Sequence, residues 1–347
     1  MVVMQRARLV FSLIWLAAAA VPGAEPSPGF QEIFSLIRSN LAGAKSDELE
    51  RAAVRGLLQQ LQPQVLMATN AADAGAAGEV VKTNLFDEAF AYLRVSRVNR
   101  GLTEQVKASL DRLAADKKFK GLVLDLRFAR GQDYAVAVAV ADQFIATDKP
   151  QLSVGTATLR STTKTNAVAI PMVVLVNRET AGAAEALAAL LRQNKAALLI
   201  GGATAGEAYA YKEFPLAGGQ RLRIATGTVK LGDGSAMPAQ GVTPDIATGA
   251  SAADERAWQA DPYKDLSRGG ASPGAGAASS STNNVRKRIN EAELVRRQRE
   301  GQNPDEESPV LRPRETEPVK PLVRDPALAR AIDLLKGLAV VRQFRAP

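Results

Sequence analysis

The side chains that most often carry chemistry are thinly represented in this chain. Histidine and cysteine are both absent. Their absence excludes every Ser-His-Asp arrangement, thiol nucleophiles, disulfides, and the His and Cys metal sites. A lipid-modified cysteine anchor is excluded with them. Among the charged groups that remain, Asp125 and Arg127 are close enough in sequence to pair, and they read as structural. Glu185 falls in the first turn of an expected helix, where a carboxylate suits the helix dipole. Gly232-Asp233-Gly234 lacks companion carboxylates spaced as in a calcium loop, so it reads as a hairpin turn. No metal or cofactor is expected.

The elements that would position such groups alternate along the middle of the chain. Residues 30–69 look helical: Ser46 reads as an N-cap, and Leu49, Val54, Leu57, Leu58 and Leu61 follow at helical spacing until Pro63. Asn70 to Gly78 is small and flexible and reads as a linker. Phe90 to Val95 is a candidate strand, and Leu102, Val106, Leu110 and Leu113 stripe a helix beginning near Thr103. Gly121 to Leu126 (GLVLDL) suits a strand buried on both faces. Tyr134 to Ala141 (YAVAVAVA) alternates like a strand, but its place after a Gly-containing turn favours a helix. Further strands are expected at Gln151–Val154, Met172–Val176 and Ala197–Gly201, with a helix over Thr180–Arg192 between the last two. This rhythm implies an α/β domain with a largely parallel sheet and right-handed crossovers.

Both ends differ from the middle. Arg6 and Arg8, the apolar run Leu9 to Val21 and the small residues after it read as a secretory signal over 1–24, which places the protein outside the cytoplasm, periplasmic or extracellular. The run is short of the roughly 20 residues a bilayer span takes. An uncleaved N-terminal membrane anchor is the alternative, since Pro22 would sit at −3 to a cut after Ala24. Residues 266–284 are rich in Gly, Ser and Ala and cannot bury a core. Residues 285–300 form a charged helix, Gln302 to Arg324 reads as disordered, and Asp325-Pro326 opens a last amphipathic helix. The formal charge of +8 arises partly in the signal and partly in this C-terminal third. The basic residues within 285–299 read as a solvated helix, with contact to an anionic lipid, polymer or acidic partner as the alternative. Nucleic acid is not expected, because no aromatic residues interleave the charges.

Four segments resemble the tail-specific (C-terminal processing) serine peptidase family. They are GLVLDLRFARG (Gly121 to Gly131), VLVNRETAGAAEALAALL (Val174 to Leu191), LIGGATAGE (Leu199 to Glu207) and GSAMPAQGVTPDI (Gly234 to Ile246). The resemblance covers roughly 85–250. It implies a crotonase/ClpP-like α/β core, here with N-terminal helices and a disordered insertion before a C-terminal helix. The organisation expected is a signal over 1–24, a helical segment over 25–69, a short linker over 70–84 and the core over 85–250. A low-complexity linker over 251–324 and a helix over 325–342 follow. The linker at 70–84 stands where the family usually has a PDZ domain and is far too short to be one.

The departures from the family concern its reacting groups. The resemblance implies a Ser-Lys pair supported by a Gln, with the Ser at a strand-to-helix corner where backbone N–H groups hold an oxyanion. Counting from Asn177 and from Glu185 places the Ser position at Gly182. The Lys position falls on Glu207 and the Gln position on Tyr211. The backbone donors fall at Gly131 and Ala183. Losing such a nucleophile costs on the order of 10⁶ in rate. Substitutes from nearby would be Thr180, which also suits an N-cap, and Lys212, whose strand parity opposes that of Glu207. The function expected is a non-catalytic relative that binds a polypeptide or an envelope protein. An active serine-type endopeptidase using non-standard residues is the alternative, and a structural protein acting through its basic tail is a third reading. The oligomeric state is left open.

Overall fold

The computed structural model describes residues 28–43, 45–68, 77–115, 118–266 and 322–345. The expected signal over 1–24, most of the Gly/Ser/Ala-rich stretch, the basic helix 285–300 and most of Gln302 to Arg324 lie outside the described residues. The chain divides into two units, Met1–Gln62 and Pro63–Pro347. The first contains α1 (Phe30–Asn40) and α2 (Ser46–Gln60). The residue that caps α2 is Lys45, and Ser46 is already helical. Both helices have an apolar stripe, with Phe30 stacked on Phe34 one turn later.

In the second unit, the strands are β1 (Val65–Ala68), β2 (Glu79–Phe86), β3 (Phe90–Val98), β4 (Gly121–Asp125), β5 (Arg130–Gly131), β6 (Pro150–Val154), β7 (Ala157–Arg160), β8 (Met172–Val176), β9 (Leu198–Gly201), β10 (Tyr209–Pro215), β11 (Arg221–Leu231) and β12 (Ile246–Ala247). Its helices are α3 (Leu102–Ala114), α4 (Tyr134–Asp142), α5 (Ala183–Gln193), α6 (Ala252–Ala260) and α7 (Pro326–Arg345). The main sheet runs β12-β9-β8-β4-β3-β2, with β5 paired to β3. Its β3-β4-β8-β9 portion is parallel. β4 and β8 are buried at every position, which explains their unbroken apolar runs. Leu122, Leu124, Val174 and Val176 pack in one core layer with α3, α4 and α5. Val123, Val173 and Leu175 face the other way, onto Ala327, Leu328, Ala331, Ile332 and Leu335 of α7.

YAVAVAVA is a helix, as its position requires. Asp133 caps it by accepting from the Val136 N–H at 3.1 Å. The period-two pattern misleads because Ala137, Val138, Val140 and Ala141 are all buried, so the helix has little polar face.

Four boundaries differ from expectation. β1 is a strand inside the segment read as helical, pairing antiparallel with β11. β2 begins at Glu79, inside the expected 70–84 linker. It is an outer strand with a largely exposed face, so charges such as Glu79 and Lys82 hide the apolar alternation. α6 lies inside the expected 251–324 linker, capped by Ser251 accepting from the Asp254 N–H. α5 starts at Ala183 rather than at Thr180. A second sheet, β1-β11-β6-β7 with β10 on β11, was only partly anticipated, through β6. Gly232-Asp233-Gly234 is a turn, as read, closed by the Gly234 N–H on the Leu231 carbonyl.

The last helix is joined to the core by buried charge. Arg127 donates to Asp125 at 2.7 Å and to Asp325 at 2.8 Å, and all three side chains are buried. Asp325 also caps α7, accepting from the N–H groups of Ala327 and Leu328. Tyr92 donates to Asp125 at 2.7 Å. Burial would raise the Asp125 carboxyl, but the Arg127 guanidinium outweighs it and holds the carboxyl below its ordinary value. The N–H groups of Arg324 and Asp325 both reach the Pro262 carbonyl, at 2.7 and 3.2 Å.

Candidate functional site

Three loops leave the carboxyl ends of the adjacent parallel strands β4, β8 and β9 and meet there, the usual place for a site in such sheets. The corner between β8 and α5 is stitched on every side. Asn177 accepts at Oδ1 from the N–H groups of Phe128 and Glu179 and donates from Nδ2 to Glu255 at 2.7 Å. The N–H of Ala181 reaches the Ala129 carbonyl, and the N–H of Ala205 reaches that of Thr180. Burial raises the Glu255 carboxyl, opposed by the Asn177 hydrogen bond and the nearby Arg127 charge.

Gly182 stands at this corner with φ 61° and ψ −125°, directly before the first residue of α5. That conformation is strained for any residue with a side chain. A Cβ placed there would lie 2.3 Å from the carbonyl oxygen of Gly131 and 3.7 Å from Gln132 Nε2. The volume a nucleophile's side chain would use is therefore held by a backbone oxygen. Its orientation is fixed from behind, because the N–H of the same peptide, at Gln132, donates to Asn99 Oδ1 at 3.1 Å. Gly131 thus turns an acceptor toward the corner, which argues against the oxyanion role the resemblance implies for it. Ala183 opens α5, where N–H groups have no intrahelical partner.

Glu207 lies in the loop before β10. Its N–H donates to Glu185 Oε2 at 2.9 Å, and its carboxylate sits 3.3 Å from Arg130 Nη1. Both side chains are partly exposed, so the ion pair contributes little to stability. Glu185 is in the first turn of α5, as expected, but it does more than suit the dipole. Fully buried, it accepts from Thr204 Oγ1 at 2.6 Å, from the Gly206 N–H and from the Glu207 N–H, and so shapes the loop that carries Glu207. Burial raises its carboxyl, and those three bonds pull the other way. Tyr211 donates to the Pro63 carbonyl at 2.8 Å, and Arg223 lies over its ring. Its phenol is pushed up to about 12, by burial first and by the Glu207 charge second, so it holds its proton at neutral pH.

The substitutes fare differently from expectation. Thr180 does not cap α5. It is fully buried, its hydroxyl donates to the Leu126 carbonyl at 2.8 Å, and it accepts from the Asn177 N–H. Lys212 is exposed on β10 with its ammonium over the Phe214 ring. The parity argument against it assumed that Glu207 lies in the same strand, and Glu207 precedes that strand. Asn99, Gln132 and Glu255 went unread in the sequence. Only Glu255 left a trace: Ser251 three residues before Asp254 is a helix-start pattern.

A parallel sheet with loops gathered at a strand-to-helix corner, flanked by a helix on its reverse face, defines a crotonase/ClpP-like hydrolase core. Residues 89–248 match the family described as Peptidase family S41, and the core of the chain is that of this family of C-terminal processing peptidases. The chain is 29% identical over 161 residues to the carboxyl-terminal-processing peptidase 2 of Arabidopsis thaliana chloroplasts, covering 44% of this chain and 31% of that one. It is 25% identical over 219 residues to the carboxy-terminal processing protease CtpA of Bacillus subtilis, covering 62% and 45%. Among solved structures, the photosystem II D1 C-terminal processing protease aligns at 26% identity and a TM-score of 0.40 over 53% of this chain and 48% of that one. The chain therefore spans less than half the length of these relatives. No helix among the described residues is long and apolar enough to cross a membrane.

Proposed function

We propose that this protein is an exported, hydrolytically silent member of its family that binds a polypeptide or protein partner in the cell envelope. One observation carries the reading: the corner reserved for an attacking hydroxyl is a glycine whose absent side chain would overlap a fixed backbone carbonyl. The partners of that position point the same way. Glu207 is a carboxylate engaged with Arg130, and its negative charge opposes an oxyanion nearby. Tyr211 keeps its proton and is tied to Pro63. The expected signal over 1–24 supports export.

The test is incubation of the purified chain with unstructured polypeptides and, separately, with a serine-reactive fluorophosphonate probe. No fragments and no labelling are expected. Labelling or cleavage that disappears in Thr180→Ala would overturn the silent reading in favour of an endopeptidase using non-standard residues.

A further inference from the structure

Beside the emptied corner lies a groove of about 620 Å³, a volume suited to a few side chains. One wall is the β6–β7 hairpin, through Val154, Ala157 and Leu159. The opposite wall is formed by Asn99 and Arg100 at the end of β3 and by Gln132 to Ala135. The hairpin wall is apolar, and Arg100 and Asp133 on the other side bring charges of opposite sign, so the groove favours no net charge.

β7 pairs with β6 and has no second neighbour among the described strands, so one row of its backbone N–H and C=O groups is open to a further strand. Side chains of a strand alternate between faces. Ala157 and Leu159 share the face that lines the groove, and Val154, directly opposite Ala157 in the register, joins them. Thr158 and Arg160 take the other face, where Arg160 pairs with Asp148. A chain added along β7 would therefore place every second side chain into the groove. An open edge beside a row of pockets is the arrangement used for capturing extended peptides by strand addition.

We infer that β7 and this groove bind an extended peptide carrying apolar side chains at alternate positions. The inference deepens the binding role proposed above and rests on it. The peptide would run past Gln132, whose Nε2 is 3.7 Å from the empty Cβ position of Gly182, and would meet no nucleophile there. The groove thus holds a chain where a peptidase would cut one.

The experiment uses the full chain and pools of fluorescein-labelled hexapeptides with Val, Ile or Leu at alternate positions, read by anisotropy. At least one pool should saturate. Methylating alternate backbone amides of the bound peptide in one register should weaken binding about tenfold or more, and methylation in the other register should not. Ala157→Trp, at an exposed position whose side chain faces the groove, should weaken binding at least about tenfold, whereas Thr158→Trp should change it by less than about twofold. Equal thermal melts for the two variants establish that both fold. If no pool saturates, or Ala157→Trp binds like the parent, the inference is overturned. A dimer that forms without peptide and is lost in Ala157→Trp would assign the edge to a second copy and also overturn it. Mass spectrometry of the same peptides separates this outcome from failure of the silent reading, because cleavage would refute silence without touching the groove.

Discussion

Restoring a side chain at Gly182 is the most demanding test of the geometry. Two costs arise from the structure. The backbone at φ 61°, ψ −125° is a glycine conformation, and holding another residue there costs about 1–3 kcal/mol. The new Cβ would meet the Gly131 oxygen at 2.3 Å, and forcing atoms into occupied volume costs roughly a further 1–3 kcal/mol. Relief by rotating that peptide would break the hydrogen bond from the Gln132 N–H to Asn99. Gly182→Ala should therefore lose about 2–6 kcal/mol in denaturant unfolding. Gly218→Ala is the control: its φ is also positive, at 90°, but a Cβ there meets nothing within 4 Å, so only the conformational cost of about 1–2 kcal/mol applies. Gly182→Ser should show the same loss and no probe labelling, alone or with Glu207→Lys. A Gly182→Ser protein that unfolds at the parental midpoint and takes up the probe would refute the reasoning.

Other consequences follow from the buried polar groups. Asp325→Ala removes one of two carboxylates from buried Arg127 and uncaps α7, and should cost about 3–5 kcal/mol by urea unfolding. Because the Asp125 carboxyl is held below its ordinary value, its contribution is complete above the unfolded value of 3.8 and is lost as pH falls further, so acid unfolding should steepen there. Glu255 has the opposite sign: its folded value lies above 4.5, so the parent should lose stability as pH rises from 4.5 through that value, and Glu255→Gln should flatten this part of the profile. Glu185→Ala leaves the Thr204 hydroxyl and two backbone N–H groups without their acceptor, and should cost about 3 kcal/mol or more and speed hydrogen exchange at Gly206 and Glu207.

The parallel core was readable because burial on both faces leaves uninterrupted apolar runs, as in Met172–Val176 and Gly121–Leu126. The degenerate positions were readable too, since Asn177 and Glu185 fix a register that leads to Gly182 from either side. What escaped depends on tertiary contact. The outer strand β2 and the meander of β10 and β11 are largely exposed, so their polar residues hide the alternation. The turn of the Gly131 carbonyl toward Gly182 is set by Asn99, distant in sequence, and no local pattern encodes it. Thr180 looked like a cap because its type suits one. Its hydroxyl is instead used inward, on Leu126.

The hydrogen bonds from Arg324 and Asp325 to the Pro262 carbonyl mean that the polypeptide leaves the folded unit and rejoins it at a single point. The free energy of closing a loop between such fixed feet grows only logarithmically, by about 0.6 kcal/mol for each doubling of its length. The number of residues spliced between Pro262 and Arg324 is therefore almost invisible to the hydrophobic interior. This junction is a natural graft point: trimming it to a short bridge, or inserting an entire foreign module, should leave the helix seated and its arginine clasp closed.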